Sequence, residues 1–342
     1  METKDFTYDL PEDRIAQEPA ALRDQSRMMV VDRRTGSMEC LRFSELPGFL
    51  HDGDVMVVND SRVIPARLKG EKATGGRIDI LLLERLEQPN RWLVLLRPAK
   101  RVKRGTRIFF GAGGYADVMA RENEKKWILE FTLNDTFESF LAARGTAPLP
   151  PYIKRRPGDD RTDRDMERYQ TVYAAVPGSI AAPTAGLHFS ENILKKLRER
   201  GVPVVPVTLH VGLGTFIPIE TKNIEEHRME KERYVISSES ARTINEAGRV
   251  VAVGTTSVRT MESAARSNGS VQNGAGDTNL FIYPGFEFKV TGALLTNLHL
   301  PASSLFLLVC AFAGTDLMKK AYRKAIDEGF RFYSYGDCML IL

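Results

Sequence analysis

The chain has little that could staple or anchor it. Cysteine occurs only at Cys40, Cys310 and Cys338 in 342 residues, too sparse for a disulfide framework or a thiolate metal cage. The longest uninterrupted apolar run, Leu305 to Ala313, is nine residues, about half of what a membrane span requires. The opening Met1-Glu2-Thr3-Lys4-Asp5 lacks the apolar core of a secretory signal, so a soluble, cytoplasmic protein is expected, with no membrane partner. There is no Gly-x-x-x-x-Gly-Lys-Ser/Thr loop, no His-Glu-x-x-His and no Cys-x-x-Cys. P-loop nucleotide hydrolysis, zincin-type hydrolysis and dithiol redox chemistry are thereby excluded. Gly212-Leu213-Gly214 begins like a dinucleotide fingerprint, but Ile217 stands where its third glycine belongs. A Rossmann cofactor site is not expected there.

Excess charge is also missing. Lys and Arg number 48 against 44 Asp and Glu, a net charge of +4, which by itself speaks to solubility and not to a partner. The remaining composition, 43% hydrophobic and 27% charged, is that of a globular protein. At roughly 150 residues per domain, the length points to two domains.

What is present is local. Arg97, Lys100, Arg101, Lys103, Arg104 and Arg107 fall within eleven residues that contain no acid. Such a stripe either neutralises nucleic-acid phosphates, with salt-sensitive binding, or is a solvated rim. From Lys154 to Arg168, six basic residues alternate with five acidic ones, which reads as an exposed, mobile loop.

Met28-Met29-Val30-Val31 and Val55-Met56-Val57-Val58 are continuous apolar runs bounded by turn residues, as in strands buried on both faces. Between Val63 and Leu133 short strand-like runs follow one another at close spacing without helical periodicity, so residues 63–149 read as a small β-barrel. Strand, loop and helix then alternate. Ser190 caps a helix that Gly201 ends, Val204–Val211 and Arg249–Val253 are strands, and Gly292–His299 is another. Residues 267–277, rich in Gly, Ser and Asn, read as a flexible loop. The expected fold is α/β: a mostly parallel sheet domain made from residues 1–62 and 150–342, interrupted by the barrel. Ligands of open α/β sheets sit beyond the carboxyl ends of the strands, which directs attention to the loops there.

Gly254-Thr255-Thr256-Ser257 lies between a buried strand and a helix start. It is either an anion or ribose site at the positive helix end or an ordinary N-cap. The segment Val176 to Phe189 is nearly uncharged and built of small residues with two prolines, as suits backbone approaching a ligand, Gly186 included. Of the five histidines, His188, His210 and His299 fall at strand ends or just before a helix, where they would reach one rim. No spacing among them supports a metal site.

These blocks together resemble one family, the S-adenosylmethionine:tRNA ribosyltransferase-isomerases of queuosine biosynthesis. The matching stretches are Tyr8-Asp9-Leu10-Pro11, Asn59-Asp60-Ser61-Arg62, Tyr173 to Phe189, Thr208-Leu209-His210-Val211-Gly212 with Gly214, Val253-Gly254-Thr255-Thr256-Ser257-Val258-Arg259, Thr296-Asn297-Leu298-His299-Leu300-Pro301 and Tyr333 to Asp337. The resemblance implies a discontinuous α/β domain with a barrel insert. It implies transfer and isomerisation of the ribosyl group of S-adenosylmethionine onto 7-aminomethyl-7-deazaguanine at the wobble position of a tRNA. Adenine and methionine leave, without a metal or redox cofactor and without an obligate protein partner. Four positions depart from the family pattern, namely Glu230, Asn279, Gly292 and Leu298.

Chemistry of this type needs proton transfer near neutral pH, for which histidine is the natural group. His188 and His210 are the first acid–base candidates and His299 the third. Arg259 either pairs with the carboxylate of the donor or forms a salt bridge within the sheet. Asp60 and Arg62 either bind the donor or fix the domain junction. Gly212, Gly214, Gly254, Thr255, Thr256 and Ser257 complete the expected donor site, and Lys100, Arg101, Lys103 and Arg104 the expected RNA contacts. Two rivals are an RNA methyltransferase with the same donor and a non-catalytic RNA-binding protein.

Overall fold

A computed structural model of the chain describes residues 1–100, 102–156, 159–212, 214 and 218–342. They form two compact units, one of Met1–Arg62, Pro150–Lys154 and Gln170–Leu342, the other of Val63–Leu149 and Arg155–Tyr169. The stretch 155–169, assigned above to the α/β portion, clusters with the second unit.

In chain order the strands of the first unit begin with β1 (Arg27–Val31), β2 (Met38–Arg42) and β3 (Asp54–Asn59). After β4 (Ser61–Val63) the second unit supplies β5 (Arg67–Lys72), β6 (Arg77–Arg85), β7 (Arg91–Arg97), β8 (Arg107–Phe109), β9 (Gly114–Arg121) and β10 (Lys126–Leu133). These six close into an antiparallel barrel in the order β10-β7-β6-β5-β8-β9. Alternation explains the closure. In β6, Ile78, Ile80 and Leu82 are buried, and in β7, Trp92, Val94 and Leu96, so one face of each strand fills the lumen. Helix α1 (Phe137–Arg144) follows, then α2 (Arg161–Arg168). The latter lies where a mobile loop was expected. Arg155 grips Asp165 through two hydrogen bonds of 2.7 and 2.9 Å, so the mixed charges are partly spent on each other.

The first unit resumes with β11 (Val176–Ser179), α3 (Glu191–Glu199), β12 (Val204–Leu209), β13 (Glu232–Ile236), α4 (Ser238–Glu246), β14 (Arg249–Val253) and α5 (Gly254–Ala264). It ends with β15 (Gly274–Thr278), β16 (Ala293–Asn297), α6 (Ser304–Ala313), α7 (Thr315–Asp327) and β17 (Cys338–Ile341). Nine strands make one sheet, ordered β15-β13-β12-β3-β14-β16-β17-β1-β2. The expected parallel pairing holds at its centre, where β12, β3, β14 and β16 run together. Toward the edges the sheet is mixed: β17 against β16, β2 against β1, and β13 and β15 on the other side are antiparallel. Part of the Gly-rich stretch read as a loop is the edge strand β15. Its ladder with β13 is made by the backbone and needs no apolar side chains.

The central strands are buried on both faces. Met29, Val31, Val55 and Val57 enter one core with α4, α5, α6 and α7, while Met28, Val30, Met56 and Val58 enter the other with α3. No helix among the described residues is long and apolar enough to cross a membrane.

Beyond the last residue of β3, side chains take over from the ladder. The Asn59 amide donates to the Leu209 carbonyl at 3.0 Å and accepts from the Leu209 N–H at 3.1 Å. Thr208 donates to Asp60 at 2.6 Å, and Ser179 bridges Ser61 and the Val211 N–H at 2.8 and 2.9 Å. Three segments distant in sequence are thereby held at the carboxyl end of the sheet. Asn59→Ala would leave both polar groups of Leu209 unpaired in a buried place, a loss of about 2–4 kcal/mol. Urea unfolding measures it, with the exposed Lys69→Ala as control. A loss under about 0.5 kcal/mol, within the usual surface range, would show that the amide is dispensable.

Candidate functional site

The loops leaving the central parallel strands meet in a narrow cleft. Its walls come from Ala182–Ala185, Val211, Gly254–Thr256, Thr296, Asn297, His299 and Leu305. It runs into a neighbouring recess that shares Thr184, Asn297, His299 and Leu305 and adds Tyr152, Tyr333 and Ser334. The small-residue segment, the Gly-Thr-Thr turn and the Thr-Asn-Leu-His strand end thus face one another at the carboxyl rim, where α/β sheets bind ligands.

Each wall has a local cause. α5 begins directly at Gly254, and its N-cap position is Val253, which offers no side-chain cap. The hydroxyls therefore do not form the ordinary N-cap. Ser257 instead turns back on the Val253 carbonyl at 2.8 Å and is withdrawn from ligand contact. Thr256 Oγ1 is buried with no protein partner, on the wall of the cleft. Asn297 Oδ1 is in the same condition.

His299 is buried, and its Nε2 bonds Thr296 Oγ1 at 2.7 Å. Its backbone is pinned on both sides, by the Tyr8 hydroxyl donating to its carbonyl and by its N–H donating to Tyr322 at 3.1 Å. Burial lowers its pKa to about 3, so it is a neutral imidazole at physiological pH.

His188 does not line the cleft. It ends a short 3-10 turn (Thr184–His188) with its ring inside the wall. Nδ1 is 2.7 Å from Ser26 Oγ, Nε2 is 3.4 Å from Asn297 Nδ2, and the ring packs on Phe43. Both nitrogens are engaged, and burial lowers the pKa to about 4. The placement suits an orienting residue better than an acid–base group.

His210 is half-buried, and its Nδ1 has no partner. Its pKa is lowered by burial and by Arg233, against the opposing pull of Asp60. Asp60 responds in kind: burial raises its carboxyl above the ordinary range, while Thr208 and His210 favour its charge. The ring of His210 rests on Gly178, where a Cβ would come within 2.8 Å of Cε1 at a backbone φ of +143°. Only glycine allows that approach.

Other expected ligand residues have other duties. Arg259 is 2% exposed, ion-paired with Glu232 and bonded to the Leu280 carbonyl at 3.0 Å. Glu232 also accepts from the Gly212 N–H at 2.9 Å. The arginine thus anchors the Gly212 turn, and its charge is already matched within the sheet. Gly186 packs against the Tyr173 hydroxyl, and Gly214 lies beside Glu230. Arg62 is exposed and donates to the Ala174 carbonyl at 2.8 Å.

In the second unit Lys100, Lys103 and Arg104 are exposed cations with no ion pair among the described residues. Arg107 is committed to Asp117 by two 2.9 Å hydrogen bonds. Arg101, Leu213 and Thr215–Ile217 lie outside the described residues.

The departures differ in their placement. Gly292 precedes β16 at the end opposite Asn297, where Arg33 donates to its carbonyl at 2.8 Å. Asn279 is exposed, and Leu298 is a buried core residue that also borders the recess adjoining the cleft. The polar wall residue that was passed over is Asn297. Its signal was available: an amide at the last position of a buried strand. Among the described residues no three His, Cys, Asp or Glu side chains are grouped to hold a metal.

Folding raises no proton onto His188, so the sign of its pH effect follows. The unfolded chain takes up the proton near the ordinary pKa of 6.5, the folded chain only near 4. Its stabilising contribution is therefore complete above pH 6.5 and is lost as pH falls toward 4, at roughly 1.4 kcal/mol per pH unit. Relative to His188→Asn, the wild type should lose about 2 kcal/mol more between pH 7 and pH 5 in urea unfolding. Parallel pH profiles would mean that His188 is not held neutral.

The model of a family described as queuosine biosynthesis protein matches residues 3–341. An S-adenosylmethionine:tRNA ribosyltransferase-isomerase of Syntrophus aciditrophicus is 55% identical over the full length of both chains. A protein of the same name from Geobacter metallireducens is 49% identical, again over the full length of both. Among solved structures, an S-adenosylmethionine tRNA ribosyltransferase from Thermotoga maritima is similar. It has 39% identity and a TM-score of 0.56, with 99% of this chain and 100% of that one covered.

Proposed function

The chain belongs to the queuosine biosynthesis protein family, and from that membership we propose that it is an S-adenosylmethionine:tRNA ribosyltransferase-isomerase. It transfers the ribosyl group of S-adenosylmethionine to 7-aminomethyl-7-deazaguanine at the wobble position of a tRNA. The product is epoxyqueuosine-tRNA, adenine and methionine are released, and the work is done in the cytoplasm.

The observation that carries this reading is the full-length identity of 55% to a relative of that name, together with the convergence of the matching loops on one cleft. The unpartnered Thr256 Oγ1 and Asn297 Oδ1 on its walls fit a nucleoside, which offers several hydroxyl and amino hydrogens.

The proton transfers fall to His210. Its Nδ1 has no protein partner, the ring as a whole is half-buried, and Asp60 opposes the lowering of its pKa. The neighbouring carboxyl favours the protonated ring, as suits a group that must both take and give a proton. His299, neutral and rigidly supported, orients substrate. His188 acts behind the wall. The exposed Lys100, Lys103 and Arg104 take tRNA phosphates.

Purified protein incubated with S-adenosylmethionine and tRNA carrying the aminomethyl deazaguanine should yield epoxyqueuosine on nucleoside mass spectrometry, with adenine and methionine released. S-adenosylhomocysteine in their place would indicate methyl transfer. His210→Ala should lower turnover by about two orders of magnitude or more at saturating donor. Turnover at the wild-type level would remove it from the chemistry.

Replacing Lys103 and Arg104 by Gln should weaken all tRNA substrates alike. The slope of log affinity against log salt should fall by roughly one to two. An unchanged slope would leave the stripe a solvated edge.

A further inference from the structure

The hydrogen bonding around Asn297 has one consistent direction. Its Nδ2 donates to the Tyr333 carbonyl at 2.9 Å. A carbonyl can only accept, so the amide cannot be turned over. The second Nδ2 hydrogen faces His188 Nε2 at 3.4 Å, which makes that nitrogen the acceptor. His188 therefore carries its proton on Nδ1 and donates it to Ser26 Oγ at 2.7 Å, and Ser26 in turn donates to the Arg23 carbonyl at 3.3 Å. Both amide hydrogens are consumed by the protein. Oδ1 is left without a partner on a side chain that is 2% exposed and lines both the cleft and its adjoining recess.

A buried carbonyl oxygen with no partner costs roughly 1–3 kcal/mol. Here that cost is relieved only by something that enters the cleft bearing a hydrogen-bond donor. Carboxylate and phosphate oxygens cannot serve, because they too are acceptors.

We propose that Asn297 is a specificity-determining residue whose Oδ1 accepts a hydrogen bond from an N–H or O–H of the sulfonium nucleoside donor. His188 is its positioning residue: it takes the second amide hydrogen and keeps Oδ1 turned to the cleft. The inference rests on the ribosyl-transfer reading. Four groups of the donor offer the required chemistry: the adenine amino group, the ribose 2′- and 3′-hydroxyls, and the amino group of the methionine part.

The test measures inhibition constants, against S-adenosylmethionine and saturating substrate tRNA, for four analogues, each lacking one of those groups. Wild type should bind one of them about 10- to 100-fold more weakly than the others. In Asn297→Ala that one penalty should disappear, the other three should stay, and the donor KM should rise by a similar factor with a smaller change in kcat. His188→Leu, which leaves the amide in place but releases it, should shrink the same penalty, and His188→Gln, which can still accept from Nδ2, should restore it. The His188 pair also carries the test if Asn297→Ala does not fold. A wild type indifferent to all four deletions overturns the inference, as does a penalty that survives unchanged in Asn297→Ala or His188→Leu. A wild type that makes no epoxyqueuosine overturns the ribosyl-transfer reading and this inference with it, an outcome distinct from a working enzyme that ignores the four groups.

Discussion

The rim of the sheet depends on one side chain doing the work of backbone. Two parallel strands that end together leave their next N–H and C=O groups unpaired, and a buried position cannot tolerate that. At the end of β3 the Asn59 amide supplies the missing donor and acceptor to Leu209. Asp60 and Ser61 then reach Thr208 and Ser179. The ladder is in effect prolonged by side chains, and Ser61 and Ser179 lie in β4 and β11, which pair as a small two-stranded sheet beside it. Small residues can line the cleft because its loops are not required to hold themselves in place.

The second constraint is electrostatic. Arg259 and Glu232 are both almost wholly buried and paired. Removing two charges from water is costly, and a buried pair is poor evidence of stabilisation in itself. Its position is more informative than its energy. Glu232 has a second oxygen that takes the Gly212 N–H, so the pair ties β13 and α5 to the turn after β12. An arginine one helical turn into α5 looks from sequence like a ligand for a carboxylate, and spacing along the chain cannot reveal that a glutamate 27 residues away has already claimed it.

Much of the organisation was legible because it rests on periodicity. Continuous apolar runs mark β1 and β3, close-spaced alternation marks the barrel, and Ser190 with Gly201 brackets α3. The failures share one physical form: they depend on partners that are remote in sequence. α2 looked like a solvated loop until Arg155 met Asp165. β15 carries no hydrophobic pattern because the ladder to β13 supplies its order. His188 was singled out by residue type, yet its chemistry is decided by Ser26 and Asn297, 162 and 109 residues away. Asn297 drew less notice since asparagine is common, and only the loss of both amide hydrogens to protein partners makes its oxygen conspicuous.

Burial of the histidines has a consequence for a cationic substrate. A sulfonium carries a full positive charge, and a protonated imidazole 4 Å from it would oppose binding by about 4 kcal/mol at an effective dielectric of 20. His299 on the cleft wall and His188 behind it are held neutral far below physiological pH, with pKa values lowered to about 3 and about 4. The one arginine in α5 near the cleft is neutralised by Glu232. The described residues lining the cleft and its recess include no lysine or arginine, so the pocket is close to neutral in place. The desolvation that weakens two histidines as bases is the same effect that keeps positive charge off the cleft wall, and of His188, His210 and His299 it is His210 that is half-buried and flanked by a carboxyl group.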